Sequence, residues 1–145
     1  MRYLLDTCAW LWLQHEPSRF DPDVLELLQE PNNEICLSVA SVWEIALKAS
    51  AGNLRIPVPL EELSSFLASR LDEQRIAILA ITMPHAVRAP LLPAHHKDIF
   101  DRIIIAQAEI ESATIITNDT VFESYSVSVV KVRGSQRVDG NVRGR

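Results

Sequence analysis

RYLLDTCAWLWLQHE, residues 2–16, decides the fold. Its opening apolar run is too short for a helix of ordinary length and reads as a buried strand. The run stops at Asp6, and residues 7–16 continue as a helix in which Trp10, Leu11 and Leu13 supply apolar faces. Aspartate at such a junction suits a helix N-cap. A strand that feeds straight into a helix is the first half of a βαβ unit.

The same grammar recurs downstream. DPDVLELLQEP (21–31) is a second helix, with Asp21 as cap, Pro22 in its first turn and Pro31 ending it. NEICLS (33–38) is a strand. A helix capped by Ser38 follows, striped by Val39, Val42, Trp43 and Ala46 and stopped near Gly52. Residues 60–74 form an amphipathic helix, 76–81 a buried strand, 82–89 a short helix and 90–97 a proline-punctuated loop. Residues 98–112 form a long buried helix, 113–117 a strand, 118–125 a turn with a helical start, and 127–132 the final strand. Continuous apolar strands alternating with helices predict a three-layer α/β sandwich around a parallel sheet of four or five strands. Ligands of such sheets bind at the carboxyl ends of the strands.

Composition bounds the rest. The chain has 145 residues, 48% hydrophobic and 23% charged, which fits one globular domain, residues 1–132. Residues 133–145 carry four arginines against one aspartate and three of the four glycines, and are expected to be a disordered basic tail. A formal charge of −5 excludes a generic nucleic-acid coat, yet an acidic site could still cut nucleic acid if metal ions neutralise it. Cys8 and Cys36 are too few for a disulfide framework and read as reduced core thiols of a cytoplasmic protein. Asp6 interrupts the apolar N-terminus, so no signal peptide is expected. The longest near-apolar run, 76–83, is too short to cross a bilayer, so no membrane role is expected.

Five carboxylates stand out. Asp6 can be a cap. Glu44 can pair with Lys48 one turn on. Asp98 and Asp101 resemble a capping box that opens the helix after HHK (95–97). Asp119 can form an Asx-turn. Each structural reading is comfortable singly. Jointly, Asp6, Asp101 and Asp119 fall at strand-to-helix or loop-to-helix junctions, and Glu44 on the helix after another strand. Converging at the carboxyl edge, they would repel and raise one another's pKa. A hard divalent cation, Mg²⁺ or Mn²⁺, would relieve that repulsion and could activate a water against a phosphodiester.

YLLDTCAWLW (3–12), SVASVWEIALKASAGNL (38–54), HHKDIFDRIIIAQA (95–108) and IITNDTVFESY (115–125) together resemble PIN-domain proteins, most closely the VapC toxins of VapBC-type toxin–antitoxin pairs. The resemblance spans residues 2–130. It implies that Asp6, Glu44, Asp101 and Asp119 bind one or two Mg²⁺ or Mn²⁺ ions and catalyse endoribonuclease cleavage of tRNA or rRNA. It implies supporting roles for Thr7, Thr117 and Asn118. It makes Asp98 a cap or outer acid, and Arg102 a group that orients a carboxylate or contacts phosphate. Implied partners are an RNA substrate, a cognate antitoxin that inserts a basic side chain among the acids, and a second copy of the chain, docked through the apolar early helices. Many relatives carry histidine where this chain has Cys8, which removes any imidazole contribution there.

The remaining polar residues are expected to be less specific. His95, His96 and Lys97 read as a solvated loop or a phosphate-facing edge, and no zinc spacing accompanies them. His15 and His85 read as surface or helix-end residues, and Trp10, Trp12 and Trp43 as core or dimer packing. Arg55, Arg88, Lys97 and Arg102 could form a local basic rim. Competing readings are a phosphoacceptor receiver domain, with Lys131 as its lysine, and a catalytically inert PIN-fold binding module.

Overall fold

The computed structural model describes residues 1–134 and the backbone of Arg137–Val138. Five parallel strands form the sheet: β1 (Arg2–Leu5), β2 (Glu34–Ser38), β3 (Ile76–Leu79), β4 (Thr114–Thr117) and β5 (Val129–Lys131). A short β6 (Arg137–Val138) pairs antiparallel with β5. The order is β3-β2-β1-β4-β5-β6. The α/β sandwich expected from the apolar runs is present, and β1 is its centre. The chain first builds outward from β1 to β3, then crosses back to place β4 on the other side of β1. That reversal opens a crevice at the carboxyl ends of β1 and β4.

Among the described residues, six α-helices cover the sheet: α1 (Thr7–His15), α2 (Pro22–Gln29), α3 (Val39–Ser50), α4 (Leu63–Glu73), α5 (Met83–Leu91) and α6 (Ile99–Glu111). The two-residue period of a strand divides the apolar side chains between two cores. Tyr3, Leu5, Ile35, Leu37 and Ile116 pack with Trp10, Val24, Leu67 and Leu71 on one face. Leu4, Cys36, Ile115 and Val129 pack with Ile104, Ile105, Ala108 and Phe122 on the other. β1, β2 and β4 are covered on both faces, which is why they read as unbroken apolar runs; β3, expected to be buried, is the edge strand, with Ile78 half exposed.

Several expectations shift. The Asp21 side chain makes no cap bond to α2; its Oδ2 accepts from the Gly134 amide at 2.7 Å instead, and Pro22 starts the helix. α5 runs through Pro90 to Leu91, and at its end the Arg102 guanidinium takes the carbonyls of Ala89 and Leu92 at 2.9 and 2.8 Å. His85 is fully buried rather than a surface residue. Its Nδ1 accepts from the Thr82 amide at 3.0 Å, capping α5, which leaves Nε2–H to donate to Glu111 at 2.9 Å. Trp10 is core, whereas Trp43 is half exposed and stacks edge-on against Phe100 at 5.2 Å. Apart from Arg133, Gly134 and the backbone of Arg137–Val138, the expected tail lies outside the described residues.

α6 ends on Ser112 at φ 55°, a left-handed position that suits glycine. A side chain there costs about 1 kcal/mol, and Ser112 is exposed. Ser112→Gly should therefore raise the melting temperature by about 2–4 °C, measured by calorimetry.

Candidate functional site

Parallel pairing of Leu5 with both Leu37 and Ile116 brings Asp6, Ser38 and Thr117 level at the carboxyl edge. Three small hydroxyls fix the elements there. The Thr117 hydroxyl donates to Asp6 Oδ2 and accepts from the Asp119 amide at 3.0 Å. Thr7 donates to Ser41 at 2.8 Å, tying α1 to α3. Ser38 caps α3 through the Ala40 amide at 2.9 Å.

Asp6, Glu44, Asp101 and Asp119 line one cavity of about 260 Å³, together with Thr7, Cys8, Leu11, Trp12, Lys48 and Asn118. Asp6 is buried and caps α1 through the Ala9 amide at 2.7 Å. Burial pushes its carboxyl up to about 6, against the Thr117 and Ala9 hydrogen bonds, with Asp119 and Glu44 adding repulsion. Asp101 is pushed up to about 7, by burial first and then by Asp98 and Asp6, while His96 pulls it down. Asp119 is half exposed and caps the following 3₁₀ turn through the Val121 amide at 3.0 Å.

Glu44 is only 7% exposed. The expected pair with Lys48 is present at 2.7 Å, but it uses Oε2 alone. Oε1 is buried with no hydrogen-bond partner. A buried carboxylate oxygen without a donor is costly unless something positive completes it. With three further carboxylates around the same cavity, and burial disfavouring the charge of Asp6 and Asp101, the donor set fits a hard divalent cation.

His96 is where the sequence reading falls short. It is not a solvated loop residue: its Nε2 lies 2.6 Å from Asp101 Oδ2 and 3.9 Å from Asp119 Oδ2. One ligand atom each from His96, Asp101 and Asp119 lie within 4.8 Å of one another. Asp98 does form the N-cap, accepting from the Phe100 and Asp101 amides at 2.9 and 3.2 Å, but it is absent from the cavity lining. Asp101 does not complete a capping box, since its side chain turns to His96.

Arg102 neither orients a carboxylate nor faces the cavity. Its guanidinium donates to four carbonyls, those of Ala89, Leu92, Pro93 and His96, at 2.8–3.1 Å. Tyr125 closes the same loop, donating to Pro93 O at 3.0 Å and accepting from the His96 amide at 2.8 Å. These bonds place the His96 ring. The spacing of His96 five residues before Asp101 is the one sequence signal that could have pointed to it. Two members of the expected basic rim are engaged elsewhere: Arg102 is consumed by this loop and Arg88 pairs with Glu109 at 2.7 Å. Cys8 is exposed in the acidic cavity rather than a core thiol, and Cys36 is buried.

The raised carboxyls have a signed consequence. Folded Asp6 and Asp101 hold protons more tightly than the unfolded chain does. The stability this contributes is complete below the ordinary carboxyl pKa and is lost as pH rises through 6 and 7. Metal-free protein should lose melting temperature between about pH 5 and pH 8, and Asp101→Asn should flatten that decline. Arg102→Met should cost about 2–4 kcal/mol by chemical denaturation. Arg102→Lys should restore little of it, because an ammonium cannot reach four carbonyls.

Comparison with known proteins places this geometry. The PIN domain family model matches residues 3–127. A search of curated proteins finds no match. Among solved structures, the chain is similar to one in VapBC2 from Rickettsia felis bound to a DNA fragment from their promoter. The identity is 22%, over 90% of this chain and 98% of that one, with a TM-score of 0.69. It is also similar to a chain of DNA-bound VapBC from Salmonella typhimurium, at 14% identity over 90% and 98% with a TM-score of 0.64. A chain of FitAcB from Neisseria gonorrhoeae matches at 25% identity over 88% and 95%, with a TM-score of 0.53. The phosphoacceptor reading is set aside. With a family match across nearly its whole length and the sheet order described above, the protein belongs to the PIN domain family.

Proposed function

We propose that the protein is a metal-dependent endoribonuclease, the toxin of a type II toxin–antitoxin pair, acting on tRNA or rRNA. The observation that carries this is the convergence of four carboxylates on one cavity, with Glu44 Oε1 buried and unpartnered. Asp6, Glu44, Asp101 and Asp119 would hold one or two Mg²⁺ or Mn²⁺ ions, and the His96 nitrogen favours Mn²⁺ over Mg²⁺. A divalent ion there would supply positive charge to the scissile phosphate and make water more acidic.

The chain's own groups do the rest. Asp6 is locked by the Ala9 amide and the Thr117 hydroxyl, so its position costs no reorganisation during the reaction. Asp101, held by His96, sits at the mouth of the cavity, where its Oδ2 can take a proton from the attacking water. Water oxygen bonds to phosphorus as the P–O3′ bond breaks. The products are a 5′-phosphate and a 3′-hydroxyl whose proton comes from solvent.

Partners follow from the same reading. The VapBC and FitAcB names belong to two-component complexes, which supports a cognate antitoxin for this chain. An apolar cavity of about 210 Å³ beside the acidic one, lined by Trp10, Leu11, Ile45, Leu54, Phe66 and Arg70 among others, is suited to an apolar antitoxin segment. A homodimer is supported by large apolar side chains exposed on α3, α5 and α6, among them Trp43, Val87, Leu91 and Ile99. The early helices α1 and α2 expose none of this kind among the described residues. No helix among the described residues is long and apolar enough to cross a membrane.

Antitoxin-free protein should cut pooled RNA, but not DNA of matched sequence, with Mn²⁺ or Mg²⁺. Cleavage should stop with chelator, and Asp101→Asn should lower it at least about 100-fold. Equal cleavage by Asp101→Asn would refute the reading. An inert binding module would instead show no rise in melting temperature on Mn²⁺ titration.

A further inference from the structure

Lys48 is the one cation lining the four-carboxylate cavity among the described residues. One helical turn separates it from Glu44, so both side chains share a face of α3. At the sequence level this is an ordinary surface pair. The structure makes it asymmetric: the Glu44 side chain is 9% exposed and that of Lys48 is 50%. The ammonium therefore reaches from the solvent edge onto a buried acid. Its 2.7 Å bond to Glu44 Oε2 uses one of three N–H donors and leaves Oε1 unpartnered.

An RNA phosphodiester entering this cavity meets carboxylates on every other charged side of it. Carboxylates repel phosphate; the ammonium does not. Arg102 and Arg88 are occupied elsewhere. We propose that Lys48 is a substrate-contacting catalytic residue: Glu44 Oε2 holds its ammonium in place, and the ammonium donates to a non-bridging oxygen of the scissile phosphate. Glu44 thereby divides its two oxygens: Oε2 holds the lysine, and Oε1 would be left for a cation. The inference rests on the nuclease reading and adds the group of this chain that receives the anion.

The same charge that attracts phosphate repels a metal ion. This gives opposite signs to two measurements that a merely structural lysine would move together. Lys48→Met should bind Mn²⁺ alone several-fold more tightly by calorimetric titration, yet cleave RNA about 10–100-fold more slowly in kcat/KM at saturating Mn²⁺. Lys48→Arg, which keeps the charge and the donors, should restore most of the cleavage and the parent's metal affinity. Circular dichroism and melting temperature establish that each variant is folded. Two outcomes overturn the proposal: Lys48→Met cleaving as fast as the parent, which leaves the lysine only a counter-ion, or metal binding and cleavage falling together without rescue by arginine. A parent protein that cleaves nothing overturns the nuclease reading itself, and that is seen before any variant is compared.

Discussion

One hydrogen bond, from the Thr117 hydroxyl to the Asp6 carboxylate, joins the ends of the two strands at which the sheet reverses its direction of growth. A hydroxyl can donate and accept at once, and Thr117 does both, since it also receives the Asp119 amide. A single buried side chain thus sets the spacing of two carboxylates from opposite halves of the sheet. Thr7 and Ser41 do the equivalent for α1 and α3, and so for Glu44. The cavity is defined by short, stiff side chains on strand and helix ends, which hold geometry more tightly than long flexible ones on loops.

The two ends of the sheet treat charge differently. At the amino edge, Arg2 bridges Glu34 and Glu111 at 3.1 Å each, and His85 meets Glu111 at 2.9 Å. Every acid named there has a basic partner. At the carboxyl edge, four carboxylates share a single lysine and a histidine. The fold can satisfy acids where it needs to, so the deficit at the carboxyl edge is not a by-product of packing. It leaves the cavity lined by more acids than bases.

Much of this was legible. Unbroken apolar runs identified strands buried on both faces, and Asp6, Asp98 and Ser38 could be read as caps because capping is local in sequence. Asp6, Asp101 and Asp119 could be placed at strand and helix junctions, and Glu44 on the helix after a strand. What the sequence could not show was burial and long-range bonding. The Glu44–Lys48 pair is visible as a spacing, but not that one partner is inside. The tie between Asp21 and Gly134 joins residues far apart in the chain. His96 looked like a solvated loop residue because its environment is made by Arg102 and Tyr125 binding backbone carbonyls and an amide, and main-chain groups leave no signature in a side-chain pattern. Arg102 was misread for the same reason: a guanidinium beside an acid suggests an ion pair, and four carbonyls out-competed it.

The central place of β1 also has a bearing on how the chain comes off the ribosome. Tyr3 and Leu4 pair on one side with Thr114 and Ile115, residues made much later. Contacts so distant form late, because their loop-closure entropy must be met first. Until β4 emerges, β1 has an open edge, Asp6 lacks the Thr117 hydroxyl, and Asp119 does not yet exist. The nascent polypeptide therefore carries its acids apart until β4 and Asp119 have been made, and only then can they come together.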